Sequence, residues 1–213
     1  MGKATPKQFL EVCGKPIFIY ALEKFDLCSE VDSIILVVQE EEKERVQTKI
    51  AQWNIRKVQG IATGGIERQD SVWNGLNLLS EDVGVIVVHD AVRPFVSAEK
   101  IGQVIMAARK KGAAVLAVPV RDTIKRVEGQ WVRETLNRRT LYQIQTPQAF
   151  RADWLRAAYE KARKDRYCST DDAALVERLG HRVAIVEGEE RNIKITSSED
   201  LFLAEMFIRE AAC

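Results

Sequence analysis

Apolar runs and amphipathic segments alternate along this chain. Runs rich in β-branched residues at 31–38, 85–88 and 113–120 predict buried strands. Shorter runs at 56–61 and 183–186 predict two more, and the segments between the runs repeat their apolar positions at helical spacing. Strands that alternate with helices in this way are typical of an α/β fold with a doubly wound, mostly parallel sheet.

The alternation breaks at residues 121–139. This segment is highly charged and alternates at period two around Glu128-Gly129, a pattern that predicts a β-hairpin. It has too few apolar side chains for a core of its own, and a lone hairpin is marginally stable in water. We therefore expect one domain over 1–213, with 121–139 as a projecting arm that pairs with another subunit. The alternative is an edge hairpin folded back on its own domain.

Composition and charge narrow the class of protein. The 213 residues suffice for one sizeable domain, and the net charge is +1 with 30% charged residues of both signs. Such a balance gives no long-range field for nucleic acid or an anionic membrane, so basic residues are expected to act locally on a small anion. Four scattered cysteines without a CxxC pair favour reduced thiols. The absence of a transmembrane stretch and of a signal peptide predicts a cytoplasmic protein.

Candidate chemistry follows the central apolar run. Asp90 and Arg93 come directly after residues 85–88, and ligands of open α/β sheets bind at the carboxyl ends of strands. A carboxylate there can accept from hydroxyls or bind a metal, and a guanidinium can grip a phosphate. The alternative is a plain strand end, with Asp90 capping the turn and Pro94 stopping the strand. Lys7 is either free to point at an anion or an ordinary surface lysine.

Two other segments have the composition of ligand-binding turns. Gly64-Gly65 precedes a helix that carries Ser71, and a glycine pair there exposes free N–H groups to a base or phosphate. A plain turn has the same composition. Thr170 and Asp171 open a later helix, and capping alone explains both residues.

Six short motifs occur in a specific order along the chain. They are Pro6-Lys7-Gln8-Phe9, Gly64-Gly65 with Arg68 and Ser71, His89-Asp90-Ala91-Val92-Arg93-Pro94, Pro119-Val120-Arg121-Asp122-Thr123, Thr146-Pro147-Gln148 and Asn192-Ile193-Lys194. Through them the chain resembles the 2-C-methyl-D-erythritol 4-phosphate cytidylyltransferase family of the non-mevalonate isoprenoid pathway. The resemblance runs from Met1 to the C-terminal helix and implies a Rossmann-like nucleotidyltransferase sheet.

The resemblance also implies a reaction and a set of roles. In this family the 4-phosphate of methylerythritol phosphate attacks the α-phosphorus of CTP and releases pyrophosphate. The residues implied as catalytic are Lys7, which stabilises the transition state, and Lys194 and Arg138, which position the sugar phosphate. The residues implied as sugar- and ribose-side contacts are Asp90, Arg93, Thr123 and Thr170. Those implied for the nucleotide are Gly65 and Ser71 in the cytosine pocket, with Asp90 and Lys7.

The family resemblance further implies Mg²⁺ and a homodimer. The Mg²⁺ ion is expected to be held mainly by the phosphates of CTP, so no residue is assigned as its ligand. Arg138 is expected to reach across the dimer from the arm 121–139. The substrates would be CTP and a polyol phosphate, with no nucleic acid and no membrane as partner.

The start of the chain departs from the family pattern. The family begins with a buried strand and a glycine-rich loop that cradles the triphosphate, and this sequence begins at the Met-Gly that would follow. The strand belongs in the middle of the sheet, so we expect a gap there. Two alternatives stay open, a ribitol-5-phosphate cytidylyltransferase and a non-catalytic dimerising relative without the triphosphate loop. A transit peptide upstream of Met1 would instead place the protein in a plastid.

Overall fold

The computed structural model of the protein describes residues 7–211, and it is an α/β fold with helices packed on its strands. The helices are α1 (Ile17–Leu27), α2 (Lys43–Gln52), α3 (Arg68–Leu76), α4 (Ala98–Lys111), α5 (Ala152–Lys164), α6 (Asp172–Arg178) and α7 (Ser198–Ala211). The strands are β1 (Glu11–Val12), β2 (Lys15–Pro16), β3 (Ile34–Val38), β4 (Val58–Thr63), β5 (Val85–Val88), β6 (Ala113–Pro119), β7 (Lys125–Glu128), β8 (Trp131–Thr135), β9 (Tyr142–Arg151) and β10 (Ala184–Glu187).

The main sheet is mixed. Its four strands lie in the order β10-β6-β9-β5, and β10 runs parallel to β6. β9 is antiparallel to both of its neighbours, with Ala149 opposite Ala114 on β6 and Val87 on β5. The α/β class is therefore as predicted, whereas the expectation of a mostly parallel sheet is corrected at β9. An apolar run reveals that a strand is buried but not which way it runs, so this direction was not readable from the pattern.

A cavity of about 1150 Å³ interrupts the strand layer between β3 and β5. β3 pairs in parallel with β4, and no strand of the described chain joins this pair to the main sheet. Both β3 and β5 line the cavity, together with residues of α1 and α3. All five residues of β3 are only partly buried, while the first six of β6 are fully buried. The expected gap in the middle of the sheet is thus present.

The core lies on both faces of β6 and β9. On one face Phe150 packs with Leu155 and Tyr159 of α5, and on the other Leu116 packs with residues of α4 and α1. The ends of α4 follow its sequence signals, because Ser97 accepts from the Lys100 N–H and Gly112 closes the helix at φ +91°. No described helix is long and apolar enough to cross a membrane.

The arm 121–139 is a two-stranded hairpin of β7 and β8. Every residue of both strands is exposed, and Gly129 at the turn has φ +59°. The register places Val127 opposite Val132 and Glu128 opposite Trp131. The hairpin is as predicted, and it presents apolar side chains to its surroundings.

Candidate active site

Asp90 lies just beyond the end of β5, and a hydrogen-bonded chain anchors its backbone. The Asp90 N–H donates to Thr146 Oγ1 at 3.1 Å, and Thr146 Oγ1 lies 3.1 Å from His89 Nδ1. His89 Nε2 lies 3.0 Å from the Arg93 carbonyl, which can only accept, so Nε2 carries the ring proton. His89 Nδ1 is then the acceptor for the Thr146 hydroxyl. Burial lowers the pKa of His89 to about 4, so the ring is neutral and both of its nitrogens are engaged.

Three cations surround the Asp90 carboxylate, and we call the four side chains together the Asp90 cluster. Lys194 Nζ lies 3.0 Å from Asp90 Oδ2, Arg68 Nε lies 3.5 Å from Oδ1, and Arg93 Nε lies 3.8 Å from Oδ2. Burial alone would raise the pKa of Asp90, but the Lys194 hydrogen bond and the charges of Lys194 and Arg68 leave it below its usual value. The carboxylate is ionised at neutral pH.

Arg93 offers an unused donor. Its Nη1 donates to the Asn192 carbonyl at 2.8 Å, which fixes the guanidinium. Asn192 is fully buried and is held in turn by its amide, which donates to the Thr146 carbonyl at 2.9 Å. Among the described atoms, Arg93 Nε is buried without a hydrogen-bond partner. A buried donor of this kind favours an anionic or carbonyl oxygen from a ligand, because leaving it unpaired is costly.

Arg68 connects the Asp90 cluster to the protein interior. Its Nη2 donates to Asp172 Oδ2 at 2.7 Å, and Asp172 is fully buried at the first residue of α6. The hydroxyl of Tyr159 donates to the other oxygen of Asp172. Desolvation lowers the pKa of Arg68, but Asp172 more than offsets it, and the net pKa of Arg68 is raised. The sequence analysis quoted Arg68 only as part of a motif and missed Asp172 and Tyr159.

The predicted cytosine residues lie together. The Gly65 N–H donates to Ser71 Oγ at 3.0 Å, and Ser71 Oγ donates to the Glu67 carbonyl at 3.2 Å. A Cβ on Gly65 would lie 2.3 Å from the Cβ of Asp70, so a side chain does not fit there. Ser71 lines the large cavity, as do Asp90 and Lys194. The turn and the Asp90 cluster therefore open onto one space.

The remaining predicted residues lie elsewhere or outside the described part. Thr123 and Arg138 line a separate hollow of about 320 Å³ on the arm, where Arg138 Nη1 donates to the Arg121 carbonyl at 2.7 Å. Thr170 is exposed just before Asp171, whose side chain caps α6 by accepting from the Ala174 N–H. The backbone of Lys7 begins a short 3₁₀ turn at Lys7–Phe9, but its side chain lies outside the described residues.

The carboxylates do not form a protein cage for a divalent cation. Within residues 7–211, no group of three His, Cys, Asp or Glu side chains is placed to hold a metal ion. In the Asp90 cluster the single carboxylate faces three cations. This arrangement fits Mg²⁺ only as an ion that arrives on substrate phosphates, a common mode of Mg²⁺ binding.

Comparisons with known proteins agree with this site. The family model described as "IspD: 2-C-methyl-D-erythritol 4-phosphate cytidylyltransferase" matches residues 1–210. The enzyme of that name from Geobacillus thermodenitrificans is 44% identical over 208 residues, covering 98% of this chain and 91% of the relative. The one from Pelotomaculum thermopropionicum is 46% identical over 211 residues, covering 98% and 89%.

Solved structures give the same result. The 4-diphosphocytidyl-2C-methyl-D-erythritol synthase of Anaerococcus prevotii superposes with a TM-score of 0.89 at 32% identity, covering 98% of this chain and 92% of that one. The 2-C-methyl-D-erythritol 4-phosphate cytidylyltransferase of Thermus thermophilus superposes with a TM-score of 0.81 at 34% identity, covering 96% and 94%. The Rossmann-like nucleotidyltransferase fold is therefore confirmed.

Proposed function

The chain belongs to the 2-C-methyl-D-erythritol 4-phosphate cytidylyltransferase family, and from this premise we propose how its residues carry out the reaction. The enzyme transfers a cytidylyl group from CTP to 2-C-methyl-D-erythritol 4-phosphate and gives 4-diphosphocytidyl-2-C-methyl-D-erythritol and pyrophosphate. The observation that carries the mechanism is the Asp90 cluster, in which three cations meet one carboxylate beside the large cavity.

No general base is needed for this reaction. The second pKa of a phosphate monoester is about 6, so the nucleophilic phosphate is largely ionised at neutral pH. His89 would be a poor base in any case, because its pKa is about 4 and both ring nitrogens are hydrogen bonded. His89 instead holds the backbone beside Asp90.

The barrier is the repulsion between two polyanions. Cations aimed at the phosphates lower it, and holding the attacking oxygen in line with the leaving group lowers it further. We assign Lys194 to the phosphate of the sugar alcohol, with the free Nε–H of Arg93 beside it. The ionised carboxylate of Asp90 is suited to accept from sugar hydroxyls. Lys7 and Thr170 remain proposals for the triphosphate and the ribose side, and Gly65 with Ser71 for the cytosine.

Mg²⁺ is proposed to enter with the triphosphate. When bound, it would neutralise phosphate charge and leave the protein to orient the two substrates. A cytoplasmic location is proposed as well, because the curated relatives compared above are bacterial enzymes.

The arm is proposed to complete the site from a second copy of the chain. Val127, Trp131 and Val132 are 55%, 79% and 58% exposed, an apolar surface that suits burial against another subunit. Arg138 and Thr123 share the hollow at the base of the same hairpin. In a dimer, Arg138 would supply a further cation to the partner's Asp90 cluster.

The substrate test compares two polyol phosphates. The full-length protein is incubated with CTP, Mg²⁺ and either 2-C-methyl-D-erythritol 4-phosphate or ribitol 5-phosphate, and pyrophosphate release is followed. We expect a higher kcat/KM with methylerythritol phosphate. Preference for ribitol 5-phosphate would support the sister activity. Failure to bind CTP in calorimetry would support the non-catalytic alternative.

A further inference from the structure

Lys194 is the shortest contact of Asp90, and the proposed function requires Lys194 to move. Its side chain is 44% exposed, and its Nζ lies 3.0 Å from Asp90 Oδ2. An ammonium on a flexible stem can turn from this carboxylate to a phosphate when the sugar phosphate arrives. Asp90 would then lose its closest partner at the moment when it has to face the substrate hydroxyls.

Arg68 is built to hold Asp90 at that moment. Its guanidinium contacts two carboxylates, with Nη2 at 2.7 Å from Asp172 and Nε at 3.5 Å from Asp90. A planar guanidinium can satisfy both contacts in one orientation, whereas an ammonium has no such fork. Arg68 itself is 38% exposed at its side chain, on the cavity that Asp90 also lines, so only its anchor can fix its orientation.

The anchor is rigid because every part of it is engaged. Asp172 is 0% exposed, and its two oxygens accept from Tyr159 and Arg68 respectively. The ring of Tyr159 stacks on Trp73, with ring centroids 6.3 Å apart. Moving Arg68 away would leave a buried carboxylate with half of its partners, which is strongly unfavourable.

The start of α6 is also pinned to β9. Gln148 accepts from the Ala173 N–H at 3.0 Å and donates to Asp171 at 3.2 Å. The backbone that carries Asp172 is therefore tied to a fully buried part of the sheet. A path of direct contacts runs from the protein core through Asp172 and Arg68 to Asp90.

We propose that Arg68, locked by the buried pair of Asp172 and Tyr159, is the positioning residue that orients Asp90 toward substrate hydroxyls after Lys194 leaves for the phosphate. This inference rests on the proposed cytidylyl transfer. It assigns Arg68 no contact with the reacting atoms, so its effect should pass entirely through Asp90.

A double-mutant cycle separates this role from a merely structural one. Arg68→Gln is made in the wild-type enzyme and in Asp90→Asn, and kcat/KM for methylerythritol phosphate is measured with radiolabelled CTP. We expect a loss of about 10- to 100-fold in the wild type, the size of one charge-assisted hydrogen bond, and less than about threefold in Asp90→Asn. Equal losses in the two backgrounds would overturn the proposal.

Conservative variants guard against misfolding. Tyr159→Phe removes one hydroxyl from the anchor and keeps the stacked ring, so it serves if Arg68→Gln does not fold. Its smaller loss, about three- to tenfold for a neutral hydrogen bond, should also disappear in Asp90→Asn. Arg178→Gln is the matched control, because Arg178 lies on α6 but pairs at the surface with Asp165, and kcat/KM should not change.

The outcomes distinguish this inference from the function itself. If the wild-type enzyme forms no product from CTP and methylerythritol phosphate, the proposed function fails. If the wild type is active and the Arg68 and Asp90 effects simply add, the function stands and the positioning role is wrong.

Discussion

Two regions carry the cations that we assign to phosphate, and they are built in opposite ways. In the Asp90 cluster, Lys194, Arg68 and Arg93 lie within 3.8 Å of one carboxylate, and Arg68 is tied to a fully buried aspartate. On the arm, Arg138 is exposed, and its Nη1 donates to a backbone carbonyl of the same arm. The cluster is organised within one chain, whereas the arm gains order only by packing on something else.

This difference teaches where preorganisation comes from. A buried network holds its charges in place before the substrate arrives, so little reorganisation is needed during the reaction. An exposed arginine is screened by solvent and moves freely, so it contributes little until its surroundings exclude water. We therefore expect the cluster variants to damage chemistry directly and the arm variants to act through assembly.

The largest expected effect is on Lys194. Lys194→Met should lower kcat/KM by about 10²–10³, the usual cost of removing one charge-stabilising donor. Pyrophosphate release measures it, and Lys164→Met on the exposed end of α5 is the control. A loss below about threefold would mean that Lys194 serves only as the partner of Asp90.

His89 should make stability depend on pH without taking part in chemistry. Its pKa is about 4 in the folded protein and about 6.5 when unfolded, so the unfolded state binds the proton more tightly. The stability it contributes is present above pH 6.5 and is lost as pH falls toward 4, amounting to at most roughly 3 kcal/mol. Urea unfolding of the wild type and His89→Gln between pH 4 and 7 measures this slope. An unchanged slope in the variant would contradict a neutral, buried ring.

The arm predicts a change in assembly. Trp131→Ser should weaken the dimer by about 2 kcal/mol, because an exposed tryptophan that is buried on association often dominates an interface. Sedimentation at a series of concentrations measures the shift toward monomer. Leu27→Ser, which changes an exposed apolar residue outside the arm, should leave the mass unchanged. Wild-type association in Trp131→Ser would favour a hairpin that packs on its own domain.

The sequence was sufficient for the cluster residues that sit in local patterns. Asp90 and Arg93 follow an apolar run, and the rule that ligands bind at strand ends placed them correctly at a common site. Lys194 required the family resemblance, because no local pattern links it to a residue so far back along the chain. The hairpin was readable from its period-two alternation and its turn glycine.

The unpredicted parts depend on long-range pairing. Asp172 reads as an ordinary first-turn carboxylate of α6, and only the folded chain brings Arg68 to it. Likewise, the direction of β9 follows from the path of the chain after the arm, which a run of apolar residues does not encode. Local spacing limits what can be inferred wherever the partner lies in a distant part of the sequence.

The central claim is that the Asp90 cluster of one chain and the arm of another supply cations to the same site. Heterodimers that pair a Lys194→Met chain with an Arg138→Met chain are purified through two different tags. If the arm acts across the dimer, one of the two sites is intact, and we expect about half of the wild-type pyrophosphate release.

The reciprocal heterodimer, one wild-type chain with one Lys194→Met/Arg138→Met chain, decides the matter most directly. The account predicts that it is nearly inactive, because each of its sites lacks one cation. About half of the wild-type activity in this heterodimer, with no recovery in the first pairing, would contradict the account.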